Sequence, residues 1–395
     1  MEQFAQWTAS AEAELDELVR LRRAIHGEPE LGLDCPRTRD KLEASLAGLP
    51  LEIRRSGRSA GFIAELQGAR PGRTVLLRGD MDALPIEEKT GLDFASKVAG
   101  RMHACGHDSH SAMLAGAARI LAGKRDRFTG RILFMFQPGE EGHHGARVMI
   151  EEGLLGDPLP DAAFALHVWP TLAHGKVACR AGTMLASTDT LKARIVGKGG
   201  HAAMPWDSLD PVPIAAEIVL ALQSHVARRT PPTDPVVLSI TRIAAGTSHN
   251  IVPDCVELLG TLRTLSNEGR ERGREAFERL CTNVAAAHGC SAEVEIDAGY
   301  PPTVNDPRAV DLVRTIAGED FYEFPASSMG GEDFSYVLEK VPGAMAFLGV
   351  APEGEDASLR PPLHNPAMML DESVLPRGVA LHCAFATRFL ESGWE

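Results

Sequence analysis

The chain has 395 residues, which at roughly 150 residues per domain predicts two or three domains and excludes a single small module. Forty Lys plus Arg against 54 Asp plus Glu leave a net charge of −14, so the summed field repels polyanions and no nucleic-acid partner is expected. With 44% hydrophobic and 24% charged residues, the composition supplies a large conventional core and carries no signature of disorder.

Residues 1–18 are acidic and lack the basic and apolar regions of a secretory leader, and no window approaches the roughly 18 uncharged apolar residues of a membrane span. This predicts a cytoplasmic protein with no membrane partner. Leu15, Leu18, Val19, Arg22 and Ile25 recur at helical spacing, and a second helix is predicted over 38–46. Strands follow at 61–66 and 74–77, the latter opening into Arg78-Gly79-Asp80-Met81-Asp82. Two carboxylates thus stand at a strand's C-terminal end, where open α/β sheets carry their chemistry. A small-residue helix (109–121), a strand (131–136), a helix after Gly145 and a strand (162–166) complete an alternating pattern that predicts an α/β sheet covered on both faces.

The middle of the chain reads strand 191–196, helix 211–228, strand 236–243, strand 256–262, helix 268–288, strand 292–296. That βαββαβ order is the signature of a ferredoxin-like domain. After Tyr300-Pro301-Pro302, helix and strand signals resume at 311–317, 344–350 and 373–390, and 351–362 reads as a Pro/Gly-rich surface loop. The expected organisation is a catalytic domain formed from 1–183 and 298–395, with a satellite inserted at 184–297.

Four segments carry metal-ligating or acid–base residue types. In Arg101-Met102-His103-Ala104-Cys105-Gly106-His107-Asp108-Ser109-His110, Cys105 and His107 are two apart, so an extended backbone presents both to one metal. The ordinary alternative is a His-rich polar loop before a helix. In Phe136-Gln137-Pro138-Gly139-Glu140-Glu141-Gly142, adjacent carboxylates follow an apolar strand. One of them can bind a metal while the other takes a proton from water, against the alternative of an acidic helix start. His167 ends the strand 162–166, and His364 follows the Pro-rich loop; each in isolation reads as easily as a structural histidine. Cys105, His107, Glu141, His167 and His364 together supply thiolate, imidazole and carboxylate, a set suited to Zn or Mn. Five protein ligands with a bridging water suggest two metals, Cys105 shared between them and Glu140 as base. The other Cys residues (Cys35, Cys179, Cys255, Cys281, Cys290, Cys383) are scattered and read as small buried hydrophobes rather than a disulfide framework.

With these residues identified, the chain resembles the family of binuclear-metal aminoacylases that includes hippurate hydrolases, indole-acetyl-amino-acid hydrolases and N-acetyl-diaminopimelate deacetylases. The resemblance also runs through Arg22 to Gly32, Gly199-Gly200-His201-Ala202-Ala203-Met204-Pro205, Asn250-Ile251-Val252-Pro253-Asp254, Gly330-Gly331-Glu332-Asp333-Phe334 and His364-Asn365-Pro366. It implies a metallopeptidase-like catalytic domain with an open mixed sheet, plus a ferredoxin-like satellite that acts as a lid and joins subunits into a homodimer or homotetramer. It implies two divalent ions per chain (Mn or Zn, with Co or Ni as alternatives) on Cys105, His107, Glu141, His167 and His364. Glu140 would be the general base and Asp82 a carboxylate that orients a ligand. His201, Asn250, Arg263 and Gly331 would contact the substrate. The implied reaction is hydrolysis of an N-acyl-L-amino acid, a small-molecule substrate, to a carboxylic acid and a free amino acid. A dipeptidase or carboxypeptidase using the same site is the alternative within hydrolases, and a non-catalytic metal-binding protein the alternative outside them. The wider superfamily has His-x-Asp where this chain has Asp80-Met81-Asp82, which leaves Asp80 without a role, and His143 and His144 have none either.

Overall fold

A computed structural model describes residues 2–395, which fall into two compact units: 2–184 with 304–326 and 333–395, and 185–303 with 327–332. Within the first unit an eight-stranded sheet runs in the spatial order Leu51–Arg55, Phe62–Gln67, Arg131–Gln137, Thr74–Asp80, Ala162–Trp169, Gly343–Gly349, Val177–Cys179, Phe321–Glu323. The four strands Arg131–Gln137, Thr74–Asp80, Ala162–Trp169 and Gly343–Gly349 are mutually parallel, while Phe62–Gln67 and Val177–Cys179 pair antiparallel on either side, so the sheet is mixed. Thr74–Asp80 is buried along its whole length, and its near-continuous apolar start (Val75, Leu76, Leu77) is what a parallel strand covered on both faces requires. The helix His107–Ala122 is buried at every position except Arg119, and with Leu15–His26 and Leu375–Ser392 it lies in the same apolar core. Phe164 stacks on Phe385 at 4.5 Å, fixing the last helix on the sheet.

Because the central strands run the same way, their C-terminal ends gather along one edge. Asp80 and Asp82, Glu140 and Glu141, and His167 all lie at or just beyond those ends. Three further strands, Leu51–Arg55, Val177–Cys179 and Phe321–Glu323, extend the sheet beyond the predicted elements, and an N-terminal helix, Glu2–Glu12, precedes them.

The second unit is a four-stranded antiparallel sheet in the order Val236–Ala245, Cys255–Thr264, Asp189–Val196, Ser291–Ala298. This is the ferredoxin-like strand order for βαββαβ. The helices Pro211–Arg229 and Asn267–Ala287 start at N-caps: Asp210 accepts from Val212 N, and Ser266 from Gly269 N at 2.8 Å. Ile214, Ile218, Leu222, Phe277 and Cys281 of these helices pack on Leu191, Ile195, Val256, Leu258 and Leu262 of the sheet. The opposite sheet face is polar, with ion pairs such as Lys192 to Glu295. The segment 327–332 joins this unit through a bridge between Leu185 and Ser328. All seven cysteines are free, and among the described residues no helix is long and apolar enough to cross a membrane.

Candidate metal centre and catalytic site

Gly106 sets the local course of the richest segment. It has φ +84°, and a Cβ there would stand 2.4 Å from Val168 Cγ2, so only glycine lets the Cys105 turn approach the strand that carries His167. The helix starting at His107 then places His107 and His110 on one face. Cys105 Sγ lies 3.4 Å from His167 Nε2, and the rings of His107 and His167 meet edge-on at 6.0 Å. The loop bearing His364 is tied in by its own N–H, which donates to Ala104 O at 2.9 Å. His364 Nε2 then sits 3.3 Å from Glu141 Oε1.

These donors form two overlapping groups. The ligand atoms of Cys105, His107 and His167 lie within 4.8 Å of one another, as do those of Cys105, Glu141 and His364. Cys105 is common to both. The histidine nitrogens are sorted by their other contacts. His107 Nδ1 donates to Asp82 O at 2.8 Å and His167 Nδ1 to Val168 O at 2.7 Å, so in each ring Nε2 is the nitrogen turned to the cluster. His107 Nε2 is buried and makes no hydrogen bond among the described residues, a costly arrangement unless a cation satisfies it. The donor set therefore fits divalent metals.

Electrostatics point the same way. Burial would lower His107, but Asp80, Asp82 and Glu141 outweigh it and raise it to about 10. Burial together with Glu141, Glu140 and Asp80 pushes the Cys105 thiol well above its usual range. Burial also raises Glu141, yet His364 and His107 hold it below the ordinary carboxylate value. In such a field a proton occupies the place of a cation, and metal binding displaces it.

The carboxylate of Asp82 accepts from Glu140 N at 3.0 Å and Glu141 N at 3.1 Å, so it clamps the turn that carries both glutamates while its backbone oxygen orients His107. Glu140 is buried beside the cluster. Asp80 acquires a place as well. It pairs with Arg78, accepts from His110 Nδ1 at 2.6 Å, and His110 Nε2 accepts from Val168 N at 2.8 Å, a relay that braces the strand end next to His167. Arg78 and Gln137 also donate to Asp333 Oδ1, whose other oxygen accepts from Ala146 N at 2.8 Å. Sequence reasoning assigned no role to Arg78, His110, Gln137 or Asp333; the three-residue spacing from His107 to His110 on one helix was the available signal for His110. His144 Nδ1 lies 3.0 Å from the Tyr336 hydroxyl.

In the second unit the remaining candidates form two pairs. His201 and Ile251 are opposite each other in a two-stranded ladder, and Ala202 N donates to Asn250 O at 3.1 Å, which brings His201 and Asn250 together. Asp254 supports this loop by accepting from Gly199 N at 2.8 Å. His201 Nδ1 accepts from Ala203 N at 3.0 Å, so its ring proton sits on Nε2. Arg263 stands on the sheet face opposite the helices, half-buried and with no carboxylate partner among the described residues; burial lowers it, partly offset by Asp189. Gly331 lies against it: a Cβ there would come within 2.2 Å of Thr188 Cγ2 and 3.6 Å of Arg263 Nη1.

Residues 76–388 match the model of Peptidase family M20/M25/M40. The chain belongs to this family. It is 38% identical over 384 residues to IAA-amino acid hydrolase ILR1-like 2 of Arabidopsis thaliana, covering 95% of this chain and 86% of that one. It is 37% identical over 379 residues to thermostable carboxypeptidase 1 of Saccharolobus solfataricus, covering 95% of each. The crystal structure of the Bacillus subtilis YXEP protein, described as a dinuclear metal binding peptidase from the M20 family, superposes with a TM-score of 0.83 at 34% identity, covering 96% of this chain and 99% of that one.

Proposed function

We propose that this amide-bond hydrolase cleaves N-acyl-L-amino acids, with Cys105, His107, Glu141, His167 and His364 holding two divalent ions, Mn or Zn in the first instance, and Glu140 as general base. The observation that carries the reading is the pair of overlapping donor groups sharing Cys105, with buried His107 Nε2 left without a hydrogen bond among the described residues. Metals held there supply Lewis acidity to the scissile carbonyl and lower the pKa of water. Glu140, fixed through its backbone by Asp82, takes a proton from the attacking water and returns it to the departing amine nitrogen, so one carboxylate serves both halves of the reaction. His201 Nε2–H is a donor for the oxygen of the tetrahedral species, and Asn250 holds the loop that presents it. Arg263, kept unpaired with room made by Gly331, offers a guanidinium fork to the substrate carboxylate. Seven free cysteines suit a reducing, cytoplasmic setting, and the exposed sheet edges of the satellite are the surface expected to join a homodimer or homotetramer.

The test is metal analysis together with hydrolysis of N-acetyl and N-benzoyl amino acids by metal-reconstituted protein. Two bound ions, and activity abolished by a chelator, are expected; metal-loaded protein that cleaves neither class overturns the reading. The carboxypeptidase among the relatives favours a second reading, peptide-bond cleavage by the same site. Dipeptides with and without an N-acyl cap separate the two, because only a peptidase accepts the free α-amino group.

A further inference from the structure

At the sheet edge opposite the metal cluster, the first unit holds a cavity of about 390 Å³ that the chemistry above does not use. The turn 124–129 on one wall leads into the N-terminal end of Arg131–Gln137, and Ala69 and Arg70 on another follow Gln67, the ladder partner of Arg131. Glu140 lies just past the other end of that seven-residue strand, about 20 Å away by the rise of a β-strand. The volume falls within the range of roughly 300–1,000 Å³ over which proteins hold small molecules. The floor is apolar: Trp7, from the helix Glu2–Glu12, and Phe128 are both largely buried. The rim carries both signs of charge. Lys124 is fixed in place, its Nζ 4.4 Å from the Trp7 ring centroid and donating to Ser10 Oγ at 2.9 Å, which leaves two of its three N–H groups to give. Arg70 and Arg127 are exposed and, like Lys124, make no ion pair among the described residues; nor does Glu391 on the last helix, while Asp126 lies 3.9 Å from Arg125.

We propose that this cavity is a second site, separate from the metal centre, for a free amino acid with an apolar side chain. Each part of such a molecule has a counterpart there. The carboxylate pairs with Lys124, flanked by Arg70 and Arg127; the ammonium pairs with Glu391; the side chain covers Trp7 and Phe128 and exchanges water contact for ring contact. A simple organic anion leaves Glu391 unmatched, and a simple cation leaves three positive side chains unmatched, so an ion of both signs fits the rim best. A free amino acid is also what the proposed reaction releases. Under the amide-hydrolase reading, on which this link to the reaction rests, the site takes a product without contesting the metals with substrate.

The experiment titrates L-phenylalanine, 3-phenylpropionate and phenethylamine into the metal-loaded full chain by calorimetry, as wild type, Lys124→Ala, Glu391→Gln and Arg263→Ala. Phenylalanine is expected to bind wild type and Arg263→Ala alike, and to bind Lys124→Ala and Glu391→Gln about tenfold or more weakly. The other two probes, each lacking one charge, are expected to bind wild type weaker by a similar factor. Glu391→Gln, an exposed change, carries the test if Lys124→Ala does not fold. Absence of phenylalanine binding overturns the site, and so does equal binding of either singly charged probe. Binding lost in Arg263→Ala but kept in Glu391→Gln overturns it as well, because the amino acid then sits at the reaction site. Protein that binds phenylalanine as expected yet cleaves no N-acyl amino acid overturns the hydrolase reading and leaves the site standing, whereas active protein that does not bind it does the reverse.

Discussion

The two compact units treat their candidate functional residues in opposite ways. In the first, His107 and His167 each have Nδ1 committed to a carbonyl, both glutamates of the Glu140 turn are pinned through their backbone by Asp82, and Asp80, His110, Arg78 and Asp333 brace the strand ends from behind. In the second, His201, on a two-residue ladder, and Asn250 just before its partner strand are exposed, and Arg263 is held by packing without a charge partner among the described residues. Bond-breaking chemistry needs donors held to fractions of an ångström, which takes buried, fully paired support. Reading a flexible substrate's carboxylate needs a cation that is free to pair. The contrast predicts that changes in the first unit strike turnover and metal, and changes in the second strike substrate affinity.

The largest effect is expected at Glu140. Glu140→Gln should lower kcat by roughly 10²- to 10⁴-fold while the metal content of purified protein stays at the wild-type value; retained turnover would remove Glu140 from the reaction. Next is Asp82→Asn, which weakens the clamp on both glutamate N–H groups and the field that favours a cation at His107. Metal dissociation constants from competition with a chromophoric chelator should rise about 10- to 100-fold, and an unchanged affinity would show that the brace has no bearing on the ligands. Arg263→Ala tests the other half of the comparison. A rise in KM of about tenfold is expected, larger than the change in kcat and absent for a substrate whose carboxylate is amidated. Equal sensitivity of both substrates would break the division of labour.

The smallest consequence is one of stability, in a polar network of the first unit that touches the helix start. His26 Nδ1 lies 2.8 Å from Asp108 Oδ2, which also accepts from Arg22. Burial opposes the charge on His26, but Asp108 and Glu88 raise its pKa from 6.5 to about 9. A raised histidine stabilises the fold fully below its unfolded value and loses that contribution as pH climbs through the folded one. Urea unfolding of the wild type should therefore weaken by up to about 3 kcal/mol between pH 6.5 and 9, and His26→Gln should flatten that slope. An identical slope in the variant would place the alkaline loss elsewhere.

Much of the centre was legible because short motifs at strand ends carry ligand types at fixed offsets. Cys105 with His107, and Glu140 with Glu141, sit on one stretch of backbone each, and alternation of strand and helix places those stretches at one sheet edge. The βαββαβ order of the satellite was readable for the same reason, since its helices are long and its strands alternate. The strand Leu51–Arg55 was not: Leu-Glu-Ile-Arg-Arg is charged and only partly buried, so edge pairing with Phe62–Gln67, rather than its own pattern, makes it a strand. Val177–Cys179 and Phe321–Glu323 are three residues each and exist only because a neighbouring strand offers hydrogen bonds.

The sequence by itself determined which residue types stand at the ends of apolar strands, and hence the metal chemistry and the two-part organisation, because periodicity and motif spacing are local properties of the chain. Only the tertiary structure decided that Asp80 serves His110 instead of standing idle, and that Phe347 lies beside His167. These pairings join residues 30 and 180 positions apart. Such pairings are set by strand order and register, which arise when the whole sheet closes around a common core and leave no trace in any one segment.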